Sequence, residues 1–255
     1  MVTVKEIYDE INRIAPFSLQ ESYDNSGLLV GSEDKTVTKV LMALDITKDV
    51  AEEAVKSKCD LVISHHPVIF GGLKYLEPEN PAVILATGGV NAICMHTNFD
   101  SAEGGLNDIL CKKLGLIPDE PLTRENGHPT GYICTLENEV MPTEMAKDIK
   151  NKLGNRVVRY IDTGKKMKRV AVCSGSGGSF LPAVIANKLD GYITGDVKHD
   201  VFIDAYNHGV CIFDAGHFYT ESIFFDELAD ELTDKFPSLS ITQAKSNKDI
   251  VSYEV

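Results

Sequence analysis

Two segments of the chain each carry a histidine and a carboxylate with three residues between them. His96 is paired in this way with Asp100, and His217 is paired with Glu221. Each pair follows an apolar run typical of a buried strand and precedes an amphipathic run with helical spacing. Imidazoles and carboxylates gathered at strand ends are the ligand types of a divalent metal site. We interpret the segments as one pattern written twice, which predicts a metal centre where two related halves meet.

A pair of adjacent histidines adds to this set. His65 and His66 end another strand-like run and are followed by Pro67. Adjacent side chains of an extended strand point to opposite faces, but a turn at the strand end could bring both rings to two neighbouring ions. Pro67 fixes φ directly after them and restricts how the loop departs. The alternative interpretation is a polar pair on the surface.

Each of the other candidate ligands also has an ordinary structural explanation. Asp100 could cap a helix, Glu221 could interact with the dipole at the start of a helix, and His96 could be a hydrogen-bonded core histidine. For His96 we favour orienting a ligand or facing the substrate over direct ligation. The structural explanations would all have to coincide, whereas one metal centre explains the whole set.

The candidate ligands together are three imidazoles and two carboxylates: His65, His66, His217, Asp100 and Glu221. Two metal ions about 3.5–4 Å apart need a bridging carboxylate and open positions for water, which this set can supply. We therefore expect two divalent ions per chain. Zinc is the first expectation because nitrogen ligands dominate, and the carboxylates also permit iron or manganese.

Two polar segments are candidates for contact with substrate. The glycine- and serine-rich residues 174–179 lie between a strand and a helix, as an anion-binding loop would. A tight turn is the simpler explanation, since the lysine of a P-loop is absent. In residues 194–199, Asp196 and His199 could orient substrate or move protons, or could belong to a helix cap. We assign His96 and His199 as proton carriers. The expected substrate contacts are Asp24, Asn25, Asp196 and Lys198.

The elements that must position these residues alternate along the chain. Strand-like runs occur at residues 40–44, 61–63 and 89–95, and runs with helical spacing lie between them at 50–55 and 82–86. The same order recurs, with strand-like runs at 170–172, 192–193 and 210–213 and a helical run at 181–189. Further helices are predicted at 4–14 and 142–153, and further strands at 28–30, 132–136, 157–161 and 250–253. This order predicts an α/β fold of two pseudo-equivalent halves packed together, with a dinuclear metal site at their junction. We place the halves at residues 1–125 and 126–255.

Composition narrows the class of protein. The 255 residues are 43% hydrophobic and 25% charged, as in ordinary globular proteins, and the net charge of −13 argues against a general nucleic-acid-binding surface. No apolar stretch approaches the roughly 20 residues that cross a bilayer, and the first residues lack the apolar core of a secretory signal. The six cysteines form no C-x-x-C pair and are expected to be buried free thiols. We expect a cytoplasmic protein without membrane or nucleic-acid partners.

Five segments resemble the motifs of a dinuclear-metal family, the type 2 GTP cyclohydrolase I or NGG-interacting-factor-three-like proteins. They are YDNSGL at residues 23–28, SHHP at 64–67, HTNFD at 96–100, TGDVKH at 194–199 and GHFYTE at 216–221. The segments occur in the family's order and span nearly the whole chain. The resemblance implies that His65, His66, Asp100, His217 and Glu221 ligate two metals. It also implies a toroidal homohexamer whose metal sites face an internal cavity.

The chain departs from the family pattern at two positions. Tyr23 stands where the family usually has Trp, and Asp200 stands where it usually has a second histidine after His199. The length also leaves no room for the extra domain that some relatives insert between the halves. If position 200 touches substrate, activity would differ from that of the family.

These observations predict a metal-dependent hydrolase of the GTP cyclohydrolase type, in which metal-activated water attacks the ring of a purine nucleotide. The nucleotide substrate comes only from the resemblance. One alternative keeps the metal centre and makes the protein a metal-dependent phosphoesterase. Another is a non-catalytic metal-binding or partner-binding protein, in which the protein supplies every ligand and leaves no exchangeable water.

Overall fold

The computed structural model describes residues 1–125 and 127–254. Within these residues the chain forms ten α-helices and thirteen β-strands. In order they are β1 (Val2–Thr3), α1 (Val4–Ile14), β2 (Gly27–Val30), β3 (Thr36–Val37), β4 (Lys39–Ala43), α2 (Lys48–Lys56), β5 (Leu61–Ser64), α3 (Pro81–Gly88), β6 (Asn91–Cys94), α4 (Thr97–Ser101), α5 (Leu106–Leu114), β7 (Pro118–Glu125), β8 (His128–Val140), α6 (Pro142–Leu153), β9 (Arg159–Tyr160), β10 (Met167–Val172), α7 (Leu181–Ala186), β11 (Gly191–Thr194), α8 (His199–His208), β12 (Cys211–Asp214), α9 (His217–Glu221), α10 (Phe225–Lys235) and β13 (Ser240–Gln243).

The described residues divide into two compact units. The first comprises Met1–Ala102 and Phe224–Lys248, and the second comprises Glu103–Ile223 and the residues from Asp249 onward. We predict from the sequence a division between residues 125 and 126, of which Asn126 lies outside the described residues. The compact units divide elsewhere because α5 packs in the core of the second unit beside α6, while β13 pairs in parallel with β4 of the first.

The first unit is built on a five-stranded sheet of order β13-β4-β5-β6-β2. The neighbours from β13 to β6 are parallel, and β2 closes the sheet as an antiparallel edge. All four residues of β5 and of β6 are buried, as expected for parallel strands covered on both faces. The apolar side chains of α2 and α3, among them Val50, Ala54 and Leu85, pack with Val62 and Ala92 of the sheet.

The second unit is built on a six-stranded sheet of order β7-β8-β10-β11-β12-β9. Strands β10, β11 and β12 are parallel, and the other pairings are antiparallel. Alternate residues of the strands face opposite sides. Val170 and Val172 therefore belong to the core cluster that contains α5 and α6, whereas Ala171 belongs to the cluster that contains α7 and α8.

The two units repeat one strand arrangement. The parallel run β4-β5-β6 with antiparallel β2 in the first corresponds to β10-β11-β12 with antiparallel β9 in the second. The registers agree as well, since Ser64 pairs with Cys94 and Thr194 pairs with Asp214. This confirms the predicted α/β class and the predicted pair of pseudo-equivalent halves.

Most predicted elements are present, one predicted strand is wrong, and two elements were not predicted. The helix at 142–153 is confirmed, as is α1 with its capping box between Thr3 and Glu6. The predicted strand at 250–253 is wrong, because the strand that closes the first sheet is β13. Strand β7 and helix α8 were not predicted. Strand β7 carries two prolines and several charges, which suit only an edge strand.

None of the helices in residues 1–125 and 127–254 combines the length and apolar character that spanning a membrane requires.

Candidate metal centre

His65 directly follows β5 of the first unit and is fully buried. Its Nδ1 lies 2.9 Å from the carbonyl oxygen of Met95. Because a carbonyl can only accept, Nδ1 must carry the proton, and the neutral ring then has its lone pair on Nε2. That nitrogen is 3.8 Å from the Oδ1 atom of Asp100. His65 is therefore fixed in the tautomer that ligates a metal through Nε2.

His66, the next residue, is held from a different side. Its Nδ1 lies 2.7 Å from Oδ1 of Asp45, the second residue after β4. The His66 ring centroid is 5.1 Å from that of His65 and 5.4 Å from that of His96. One ring nitrogen from each of the three histidines can be chosen so that all lie within 4.8 Å of one another. The first unit thus gathers three imidazoles at the carboxyl ends of β5 and β6.

Asp24 fixes the third ring. Its side chain has no exposed surface, and its Oδ1 is 2.7 Å from Nδ1 of His96. The same carboxylate accepts hydrogen bonds from the backbone N–H groups of Asn25 and Thr97 and from the hydroxyls of Ser26 and Thr97. Burial alone would raise the pKa of Asp24, but hydrogen bonds from His96 and Thr97 outweigh it and hold that pKa well below the usual range. Asp24 is therefore a permanent anion behind His96.

Asp100 lies within α4, whose N-cap residue is His96. Its backbone N–H donates to the His96 carbonyl oxygen, 3.1 Å away. The cap position belongs to His96, so capping does not explain Asp100. Its partly exposed carboxylate instead lies beside His65.

In the second unit, His217 and Glu221 are the first and last residues of the short helix α9. Their spacing of four places both side chains on one helix face, with Nε2 and Oε2 2.9 Å apart. Nδ1 of His217 lies 2.8 Å from Oδ2 of Asp196. Glu221 is buried and ends its helix, where the dipole does not favour a carboxylate. The helix-dipole explanation for Glu221 therefore fails.

His217 carries a proton in this arrangement. Burial alone would lower the pKa of His217, but hydrogen bonds to Asp196 and Glu221 and the charges of both carboxylates raise it to about 10. An imidazole and a buried carboxylate 2.9 Å apart are a donor pair suited to one divalent ion, which would take the place of that proton.

The glycine-rich residues 174–179 lie against His217 and Glu221 and do not form an open anion-binding loop. The backbone N–H of Ser174 donates to Asn107, and that of Gly175 donates to the hydroxyl of Thr220. Gly175 has φ of +61°, and a Cβ there would lie 2.2 Å from Oε1 of Glu221. The loop is a tight turn, the simpler of the two explanations from the sequence, and Gly175 leaves the space that the Glu221 carboxylate occupies.

The two histidine–carboxylate segments are not structurally equivalent, although their spacing is the same. Met95 and Ala215 make matching backbone hydrogen bonds to the strands beside them. His96 is therefore equivalent to the N-cap Gly216, and His217 begins its helix one residue later. The interpretation as one pattern written twice is wrong in register by one residue.

The predicted substrate contacts lie in several environments. The burial of Asp24 does not suit contact with substrate. Asn25 donates from Nδ2 to the carbonyl oxygen of Ile69, 2.7 Å away, and so ties two loops together. Lys198 is the exposed N-cap residue of α8, and His199 is its exposed first residue. Asp196 has φ of +50° and receives the His217 hydrogen bond.

Two residues that hold the candidate ligands were missed in the sequence. Asp45 follows β4 and orients His66, and its position at a strand end was the available signal. Gly175 was noted only as part of a loop. No local pattern reveals that this position faces the carboxylate of a residue 46 positions later (221 − 175).

Several known proteins are similar to this chain. A family model described as Duf34/NIF3 (NGG1p interacting factor 3) matches residues 2–250. A Campylobacter jejuni protein named GTP cyclohydrolase 1 type 2 homolog is 33% identical, over 95% of this chain and 97% of its own. A Helicobacter pylori protein named GTP cyclohydrolase 1 type 2 is 36% identical, over 88% and 89%. The crystal structure of a Staphylococcus aureus hypothetical protein matches with a TM-score of 0.90 at 27% identity, over 99% of both chains.

Proposed function

This chain belongs to the Duf34/NIF3 family, and on that premise we propose that it is a metal-dependent hydrolase of the GTP cyclohydrolase type. In this proposal His65, His66 and Asp100 of the first unit, with His217 and Glu221 of the second, hold two divalent ions. The observation that supports it most is the form in which two of the candidate ligands are held. His65 presents the lone pair of Nε2, and Glu221 is a buried carboxylate beside His217.

The donor types fit such ions. Each unit supplies imidazole nitrogen and carboxylate oxygen, and carboxylates behind His66 and His217 orient the rings from Nδ1, as partners of metal ligands usually do. Two divalent ions would supply Lewis acidity and a lowered pKa for water. We propose zinc first, because nitrogen donors dominate, with iron or manganese as the other candidates.

The chain's own residues contribute proton handling and position. His96 is held at Nδ1 by the buried anion Asp24, so it can take up and release a proton only at Nε2. Asp24 also keeps that ring beside the rings of His65 and His66, whose centroids lie 5.2 and 5.4 Å away. We assign proton transfer at Nε2 to His96, which is the role that the sequence predicted for it.

GTP is the proposed substrate because a relative that is 36% identical carries the name GTP cyclohydrolase 1 type 2. The test is incubation of the metal-loaded protein with GTP at several pH values, with loss of GTP followed by chromatography. We expect turnover in the wild type and none in His66→Ala. His208→Ala is the matched control, since His208 is an exposed histidine that bonds only its own helix among the described residues. Unchanged GTP under all conditions would reject this substrate.

The homohexamer is likewise a proposal from the family resemblance. Light scattering of the purified chain would measure it, and a monomer at micromolar concentration would contradict it.

A further inference from the structure

A pocket lies between β9 and α8 of the second unit. Its volume is about 400 Å³, and the residues that line it include Arg159, Tyr160, His199, Phe202 and Tyr206. Ligand pockets commonly enclose roughly 300–1,000 Å³ and combine apolar walls with a few polar groups. The size and lining of this pocket suit a small flat molecule.

The sequence of α8 creates one wall. His199, Phe202, Ile203 and Tyr206 line the pocket, and their spacing of three, four and seven residues defines one helix face. Ile203 is 47% exposed and Tyr206 is 67% exposed, so this part of the face is turned away from the core. Phe202 is partly buried and packs against the core cluster that contains Ala205. An apolar stripe left outside the core is typical of a binding surface.

Strand β9 creates the opposite wall. The Tyr160 ring stacks on buried Phe213, with centroids 5.7 Å apart and planes at 11°. The Arg159 guanidinium lies 5.3 Å from the centre of the Phe202 ring. The Tyr160 ring therefore packs with the core cluster that contains α5 and α6, and the flat surface on the side of α8 comes from the arginine over Phe202.

Arg159 also connects the pocket to the candidate metal ligands of the same unit. Its Nη2 donates to the carboxylate of Asp214 and to the carbonyl oxygen of Val197, 3.1 Å away. Val197 directly follows Asp196, which holds His217 through Nδ1. Among the described residues Arg159 makes these hydrogen bonds through Nη2 alone, so Nε and Nη1 keep N–H groups with which to bind a ligand.

We propose that this pocket binds a planar heteroaromatic ring of the nucleobase class. Bases stack on aromatic side chains, and the rim donors of Arg159 and His199 match the carbonyl oxygens and ring nitrogens of such a ring. The inference rests on the proposed function and deepens it, because it assigns recognition of the nucleotide base to β9 and α8.

The test measures binding of guanosine, which has the ring but no phosphate, to the full chain as purified. Isothermal titration calorimetry would compare the wild type with Tyr206→Ala and Phe202→Ala. The expected result is saturable binding that each variant weakens about tenfold or more, the usual effect of removing one stacking ring. Tyr206 is largely exposed, so its replacement does not endanger folding.

Two controls define the result. Tyr75→Ala removes a similarly exposed ring of the first unit and is expected to leave guanosine affinity unchanged. Ribose is expected not to bind. Absence of guanosine binding, or equal affinity in wild type and Tyr206→Ala, would overturn the inference. GTP turnover is measured separately. Turnover without guanosine binding would reject the pocket alone, and guanosine binding without turnover would reject the proposed reaction alone.

Discussion

The two units share one arrangement of parallel strands but carry different side chains after the middle strand. After the middle strand of the parallel run, the first unit has His65 and His66, whereas the second has Gly195 and Asp196 at the equivalent positions. The first unit therefore presents imidazoles, and one of them is oriented by Asp45. In the second unit the equivalent of His66 is Asp196, which itself orients a histidine, His217.

Packing explains why the second unit cannot simply repeat the first. A Cβ at Gly195 would lie 2.8 Å from the backbone nitrogen of His217 and 2.8 Å from the carbonyl oxygen of Gly175. The space that the first unit gives to the His65 side chain is closed there by backbone. The two units thus share a strand register but carry different side chains at the ends of their strands.

The largest effect is expected from Gly175→Ala, which acts only on the second unit. The new Cβ would overlap Oε1 of Glu221, and the residue would remain at a positive φ. We expect Glu221 to be displaced and metal affinity to fall by about 100-fold, the upper end for residues that support ligands. Gly178→Ala in the same loop is the control, since its Cβ would meet only an ordinary contact at 3.5 Å. Competition with a chromogenic chelator measures both, and equal affinities would contradict the assigned role of Gly175.

Asp24→Asn tests the corresponding support in the first unit. Asn cannot replace a buried carboxylate that accepts hydrogen bonds from His96, Ser26 and Thr97. We therefore expect the free energy of unfolding at pH 7 to fall by about 2–3 kcal/mol. Because the pKa of Asp24 is lowered from 3.8 in the folded state, its stabilisation is present above pH 3.8 and is lost as pH falls below that value. Urea unfolding at pH 7 and pH 3 measures this. A difference between wild type and variant that stays constant with pH would refute the buried anion.

The smallest effects are expected from a matched pair, Asp45→Asn and Asp196→Asn. Each removes the charge behind one ring, His66 in the first unit and His217 in the second, and the two carboxylates are similarly exposed. We expect metal affinity to fall by about 10-fold in each variant. If only one variant responds, the two units do not contribute comparable ligands, and the comparison between them would have to be revised.

Much of the fold could be predicted because the parallel strands are short apolar runs with clear ends. The repeated strand order could be predicted in this way. The helix at 142–153 was also predicted with its correct bounds. The return of β13 to the first sheet could not be read, since Ser240–Gln243 has little apolar character and its place depends on pairing with β4, about 200 residues earlier (240 − 39 = 201).

The candidate ligands were predictable by residue type and strand-end position, but their supports were not. Asp45 and Gly175 act through space on residues distant in the chain. The one-residue offset between His96 and His217 was hidden by identical spacing, because spacing does not show where each helix begins. The aromatic face of α8 was also missed, because residues 194–199 were interpreted only as polar contacts.

The central claim is that both units supply ligands to two divalent ions. The most direct test is metal analysis by mass spectrometry of the protein purified without chelator, beside His65→Ala/Glu221→Ala and the control His208→Ala. We expect about two metal ions per chain in wild type and control, as a dinuclear site requires, and far fewer in the double variant. A wild-type chain that is folded, metal-free and unable to take up any divalent ion would contradict it.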